Sequence, residues 1–278
     1  MENKRKFLNA FHLKIIGMLT MIFDHIIVCL DTAGKLYSTG LFDIKLITLF
    51  RIIGRISFII FAFLTVEGII KSKHKIKYIL RLSIVGILMD LVSFLFLGDY
   101  FGNPITTLAL GAITIYFFEH KNKYFKLFSI LPITYIILIA LELIPFYADY
   151  DIYGMSTFLI FYLGYISSNF FSKYIITKYN LEPETFENSS YKLTLRTTVS
   201  SILFLGFAIA IYLINPIWNN KGLFTEMNSI QIYAIFALIP IMLYNGERGY
   251  DKKWFKYGCY LFFPLHLLII YLLILIVV

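Results

Sequence analysis

The chain has 278 residues, of which 59% are hydrophobic and 15% charged, and its formal net charge is +8. That balance excludes an ordinary soluble domain, which carries roughly 25% charged residues. It also points the basic excess at a membrane rather than at nucleic acid, because the lysines and arginines gather between apolar runs. No zinc-ligand spacing, P-loop or dinucleotide fingerprint is present, and the two cysteines, Cys29 and Cys259, fall in apolar runs as buried thiols.

Apolar runs occupy 13–31, 51–70, 77–97, 105–118, 125–145, 153–172, 196–214, 229–244 and 258–277. Two of them, 105–118 and 229–244, are short; the others suit a hydrocarbon layer of about 30 Å. The expectation is an all-α, polytopic membrane bundle of about nine spanning helices, within a range of roughly eight to ten. The first run is too long for a signal peptide and lacks a small-residue cleavage site, so it is read as a retained span. Segment 42–50 is apolar but too short to cross, and is expected to lie in the interface or to re-enter. The polar stretch 178–195 reads as a linker within a single domain, 1–278.

Lysine and arginine then orient the bundle. Lys4, Arg5 and Lys6 precede the first run. Alternate connections hold Lys71, Lys73, Lys75 and Lys77; Lys121, Lys123 and Lys126; Lys173, Lys178, Lys192 and Arg196; and Arg248, Lys252, Lys253 and Lys256. The intervening connections hold Lys35, Lys45 and Lys221, and one carries Glu142, Asp149 and Asp151. The positive-inside rule puts the amino terminus in the cytoplasm and the carboxyl terminus outside. The polar 178–195 linker is then cytoplasmic.

Depth makes the ionisable residues informative. In the first run, Lys14 stands at the start and Asp24 and His25 near the far end, roughly 16 Å further along at the helical rise. An ionisable group at that depth costs about 2.5–3.5 kcal/mol and marks a site by default. Consecutive residues point about 100° apart on a helix, so Asp24 and His25 should face different neighbours. Arg51 and Arg55 enter the second run from the same outer side and share a face. Two readings stand here: an ion pair of Asp24 with Arg51 or Arg55 that holds the bundle together, and a functional cluster. The basic run Lys71 to Lys77, continuing to Arg81, is either an orientation signal that meets lipid headgroups or a cradle for a polyanionic cofactor. His266, two residues after Pro264, is expected to cap a helix carbonyl freed by the proline ahead of any catalytic role. Thr106 and Thr107, near Asn103, are expected to bond back to their own helix.

Ordered blocks run along the chain: Leu13-Lys14-Ile15-Ile16 leading to Asp24-His25-Ile26, then Arg51-Ile52-Ile53-Gly54-Arg55-Ile56-Ser57-Phe58. Phe61-Ala62-Phe63-Leu64 with Val66-Glu67-Gly68, and Lys77-Tyr78-Ile79-Leu80-Arg81-Leu82, follow. Asn103 to Gly111, Tyr244-Asn245-Gly246-Glu247-Arg248-Gly249 and Phe262-Phe263-Pro264-Leu265-His266-Leu267-Leu268 complete the set. In this order the blocks resemble the TraX family of bacterial membrane acetyltransferases. Lys14 and His25 also have the spacing of a basic residue and a first-span histidine seen across transmembrane acyltransferases.

The resemblance implies acetyl-coenzyme A (acetyl-CoA) as co-substrate, a bacterial cell membrane as the location, and transfer of an acetyl group to an amine or hydroxyl. The acceptor is a peptide amino terminus, pilin-like or not, or an envelope polymer. His25 is the expected base, with Asp24, Arg51 and Arg55 beside it; Lys14, Glu67, Lys73, Lys75, Lys77 and Arg81 are expected to hold the cofactor. The alternative is a transporter or proton-coupled carrier that uses Asp24, His25 and Arg55 as a relay. The partners expected are the lipid bilayer, acetyl-CoA and that acceptor, without nucleic acid.

Overall fold

The computed structural model describes residues 6–36, 43–97, 102–144, 148–218 and 230–277. Lys4, Arg5 and Lys221, which enter the orientation count, lie outside these residues, as do 42, 145 and 229 at the ends of three expected segments. The helices are α1 (Ala10–Thr32), α2 (Ile44–Lys71), α3 (Lys75–Leu97), α4 (Pro104–Phe118), α5 (Lys123–Lys126) and α6 (Ile130–Ala140). They continue with α7 (Asp151–Tyr179), α8 (Pro183–Glu187), α9 (Ser190–Trp218), α10 (Leu238–Met242) and α11 (Lys253–Val277). Short 3-10 turns, Leu127–Ser129 and Gln231–Ala237, lead into α6 and α10.

Within the described residues, each expected apolar run is therefore mostly helical. Among the described residues, six helical units are long and apolar enough to cross a membrane: α1, α2, α3, α5 with α6, α9 and α11. Helix α4 and the Gln231–Met242 unit are shorter, and α7 is long but more polar. The outer faces of α3 and α11 expose Ile84, Ile87, Leu88 and Leu91, and Leu268, Leu272, Leu275 and Ile276. An apolar surface this continuous fits lipid rather than water.

Local sequence sets the helix starts. Asn9 closes a reciprocal capping box with His12, Asp43 caps α2 through the Leu46 amide, and Asn103 caps α4 with Pro104 at its first position. The Asp43 cap corrects the expectation for 42–50: residues 44–50 are the first turns of α2, not an interfacial or re-entrant piece. Arg51 and Arg55 consequently lie two to three turns inside the helix. The polar stretch 178–195 is divided among the end of α7, α8 and the start of α9, and α7 packs against α9.

Helix α2 is the hub, touching α1, α4, α7 and the 3-10 turn before α10. Its core face carries Phe58, Ile59, Ala62, Phe63 and Val66, packed with Phe158, Phe161 and Phe204. Helix α1 lies along α2 on one side and α11 on another. The backbone before α1 is stapled to the segment before α11. Leu8 donates to the Leu243 carbonyl (3.1 Å), Asn245 to that of Leu8 (2.7 Å), Ala10 to that of Glu247 (2.8 Å) and Phe11 to that of Arg248 (3.1 Å).

Candidate active site

Asp24 faces α2. Its carboxylate accepts from Arg55 Nη2 at both oxygens (2.9 and 2.8 Å) and meets Arg51 Nη1 at 3.0 Å. The approach needs a glycine: a Cβ on Gly54 would overlap Asp24 Cβ and stand 2.7 Å from its Cγ. Arg55 also bonds the Arg51 carbonyl through Nε at 3.3 Å and lies 6.0 Å from the ring of Tyr150. Tyr150 stacks on Phe58 at 4.0 Å and holds a left-handed backbone, φ 64°. A non-glycine residue in that conformation costs about 1–3 kcal/mol and persists where packing over-determines it.

His25 faces α11. Its Nδ1 lies 2.5 Å from His266 Nε2, and His266 Nδ1 lies 2.7 Å from the Phe262 carbonyl. The two rings are tilted by 22° with centroids 4.8 Å apart, so they meet edge to edge along the line of the nitrogens. A carbonyl can only accept, which puts the His266 proton on Nδ1 and leaves its Nε2 as an acceptor. In a neutral pair the His25 proton then sits on Nδ1, and His25 Nε2 carries the free lone pair. The carbonyl that Pro264 releases is that of Tyr260, four residues back. His266 takes that of Phe262 instead and also meets His25, so the expected cap on the freed carbonyl is not what this ring provides.

A cavity of about 810 Å³ joins these groups. On α1 it runs from Ala10 past Lys14, Met21, Asp24 and His25 to Val28, about 27 Å at the helical rise. On α2 its wall is Gly54, Ser57, Phe61, Leu64, Gly68 and Lys71, alternating three and four residues apart along one stripe. The far end adds Arg51, Arg55, Asp149 and Tyr150; the near end adds Tyr244, Gly246, Arg248, Asp251 and Lys256. The hydroxyl of Ser57, a wall residue that is 4% exposed, has no hydrogen-bond partner among the described residues.

The near end is built on Glu67. This buried carboxylate accepts a hydrogen bond from Arg196 Nη2 (3.0 Å), has Arg196 Nε at ion-pair distance (2.9 Å), and meets Lys71 at 2.8 Å. Lys71 also donates to the Gly246 carbonyl at 3.1 Å, tying the end of α2 to the segment before α11. Lys6 donates to Thr197 Oγ1 at 2.7 Å beside Arg196. Burial, with Arg196 adding repulsion, lowers the Lys6 amine to a pKa of about 8. Cations outnumber carboxylates on this rim, where Lys14, Lys71, Arg248 and Lys256 face Glu67 and Asp251.

Of the residues singled out in the sequence, Lys14, Asp24, His25, Arg51, Arg55 and Glu67 come together on the cavity wall. Lys73, Lys75, Lys77 and Arg81 do not line it. Lys73 and Lys77 are exposed on the turn and first face of α3, and Arg81 stands over the ring of Tyr257 at 5.8 Å. Helix α2 ends at Lys71, and the extended turn 72–74 with the start of α3 carries them off the wall; Lys71, Arg248 and Lys256 supply the cations in their place. Sequence reasoning also missed His266 as the partner of His25, and Tyr150. The stripe to Lys71 was readable from its spacing. Thr106 and Thr107 likewise bond across elements, to Asp90 Oδ2 at 3.0 Å and to the Asp149 carbonyl, rather than back to α4.

Comparison with curated proteins and with solved structures found no match. A family model described as TraX protein matches residues 10–181, well over half of the chain. The match takes in α1 to α7 and with them the Asp24–Arg51–Arg55 cluster, His25, Glu67 and Lys71, while His266, Arg248 and Lys256 follow it. This multi-pass membrane protein belongs to the TraX family.

Proposed function

We propose that the protein is an acetyltransferase of the bacterial cytoplasmic membrane. It moves the acetyl group of cytoplasmic acetyl-CoA to an amine or hydroxyl at the opposite end of its cavity. The observation that carries this reading is the cavity itself, continuous from a cationic rim at Lys14, Lys71, Arg248 and Lys256 to His25. The phosphates of the substrate suit that rim, because ammonium and guanidinium groups are strong donors to phosphate oxygens. The thin pantetheine arm suits the apolar stripe of Phe61 and Leu64, with the unpartnered Ser57 hydroxyl beside it. Family membership supports a transferase, since TraX proteins are associated with pilin acetylation.

At the far end, His25 Nε2 takes the proton of the acceptor as its nitrogen or oxygen bonds to the thioester carbon. Arg51 or Arg55 stabilises the oxyanion. The carbon–sulfur bond then breaks, and the thiolate leaves with the proton returned by His25. Asp24 holds the arginines in place and neutralises part of their charge. Attack by His25 Nε2 itself, through an acetyl-imidazole, uses the same lone pair. A proton-coupled carrier is the weaker reading, because Asp24 is engaged by two arginines and His25 by His266.

Membranes containing the protein, incubated with acetyl-CoA labelled in the acetyl group, test the proposal. Label should reach an acceptor fraction as free coenzyme A is released. His25→Ala should bind acetyl-CoA and release nothing. Absence of acetyl-CoA binding by the parent protein, or undiminished transfer by His25→Ala, overturns it.

A further inference from the structure

We propose that His266 is a positioning residue and proton acceptor for His25, so that the Phe262 carbonyl, His266 and His25 act as one relay across α11 and α1. This rests on the transferase reading above. It is carried by three features: the 2.5 Å contact between the imidazoles, their near-coplanar rings, and the 2.7 Å bond that fixes the far nitrogen of His266 on a backbone carbonyl. Both rings are confined. His266 stacks on Phe262 at 4.6 Å and 9°, and Phe263 stands edge-on to His25 at 5.6 Å. His266 is 6% exposed in a helix whose lipid face is apolar, where a second imidazole needs a partner to justify its burial.

The relay does two things that His25 alone does not. First, it fixes the tautomer. With His266 Nδ1–H on the carbonyl, its Nε2 accepts from His25 Nδ1–H, and the basic nitrogen of His25 is always Nε2. Second, it gives the transferred proton's charge somewhere to go. The cations facing His25 are Arg55 and Arg51, with Asp24, Asp149 and Tyr150 also on this end of the wall. An imidazolium at His25 is repelled by both guanidinium groups. When Nε2 takes the acceptor proton, the Nδ1 proton can pass to His266 Nε2. His266 becomes the imidazolium, on α11 and one ring further from the arginines, and its Nδ1–H stays on the Phe262 carbonyl. Reversing both transfers delivers a proton to the departing thiolate, so no proton is gained or lost over the cycle. The carbonyl here takes the orienting place that a buried carboxylate takes in serine-protease triads.

Two substitutions separate positioning from proton acceptance. His266→Leu removes both and should lower kcat by about 10²–10⁴-fold, the range of an acid–base contribution, with KM for acetyl-CoA unchanged. His266→Gln can accept from His25 Nδ1–H through its amide oxygen but cannot take a proton. It should recover part of kcat and move the acidic limb of the kcat–pH profile. The direct readout is solid-state ¹⁵N NMR of histidine-labelled protein in liposomes, with His25 identified as the signal lost in His25→Ala. Nδ1-protonated His25 in the parent, shifting towards a tautomer mixture in His266→Leu, supports the relay. Nε2-protonated His25, or full kcat in His266→Leu, overturns it. A parent protein that shows the expected tautomer but transfers no acetyl group would refute the transferase reading and leave the dyad standing.

Discussion

Replacing Asp24 by asparagine tests whether the ion cluster is a buried, load-sharing contact between α1 and α2. Asp24, Arg55 and Arg51 side chains are 11%, 13% and 29% exposed, and one carboxylate serves both guanidinium groups. Asparagine keeps the shape and removes the charge, leaving two cations on α2 facing a neutral amide. Removing one partner of a buried pair costs about 3–5 kcal/mol. Placing one uncompensated charge at this depth costs about 2.5–3.5 kcal/mol. The two routes agree if Arg55 stays buried and the more exposed Arg51 retreats towards the surface. For a chain of this size, roughly 2–4 °C of melting temperature follows each kcal/mol, so the loss is about 6–20 °C. Thermal unfolding of the purified protein in detergent measures it. The triple variant Asp24→Leu, Arg51→Leu, Arg55→Leu removes every charge together and should regain most of the loss, since an apolar replacement of a buried cluster is close to neutral. A melting temperature for Asp24→Asn within about 2 °C of the parent, or a triple variant as unstable as the single one, refutes the reasoning.

Gly54→Ala drives a methyl into the same carboxylate and should destabilise by about 1–3 kcal/mol, the cost of overpacking; an unchanged melting curve would show that α1 and α2 are not in the contact described. Cys259 lines the cavity between its rim and His25, so in a Cys29→Ala background maleimide labelling of Cys259 should slow when coenzyme A is added, and a rate indifferent to coenzyme A would count against occupancy of that passage. The Lys6 pKa of about 8 lies below the ordinary 10.5, so the folded state binds fewer protons than the unfolded one between these values. The latch of residues 6–9 onto the Tyr244 segment should therefore strengthen as pH rises from about 8 towards 10.5, with the full penalty present below 8. Hydrogen exchange at Leu8 and Asn245, compared with Lys6→Met, reads this directly: the difference between the two proteins should shrink with pH, and a constant difference refutes the assignment. Exchanging the neighbours, Asp24→His with His25→Asp, keeps composition and hydropathy but turns each group to the wrong helix; both stability and transfer should be lost, and a variant retaining either would separate that property from the pairing.

The helices were legible because apolar runs of this length have few other uses, and the inward aim of Asp24 and His25 followed from the cost of ionised groups in hydrocarbon. The start of α2 was not legible. Arg51 looks like a membrane edge in one dimension, and only the carboxylate on α1 shows why two guanidinium groups tolerate the interior. The rim was half legible. A lysine-dense connection draws attention to Lys73, Lys75 and Lys77, yet wall position depends on helix phase, and the phase of α2 selects Lys71. Arg248 and Lys256 reach the rim because residues 8–11 pair with the backbone at 243–248, and a pairing across that sequence separation leaves no local pattern. His25 and His266 are separated by 241 positions, so their contact was likewise out of reach.

Helix α1 makes the arrangement possible. It is packed between α2 and α11, and its two consecutive ionisable residues diverge by about 100°, so one turn engages two neighbours with two chemistries. The carboxylate fixes cations on α2, and the imidazole meets its own kind on α11. A cationic site and a basic nitrogen are thereby held on adjoining walls of one passage without being paired to each other. Had Asp24 faced His25, the carboxylate would have taken the place that His266 holds and left the arginines uncompensated. The separation leaves the Nε2 lone pair of His25 away from the carboxylate and leaves each guanidinium with N–H groups beyond those on Asp24 to meet a developing oxyanion. The same geometry limits what can vary: a shift of one residue in α1 would turn both groups away from their partners, whereas the apolar positions between Lys14 and Asp24 need only preserve the wall.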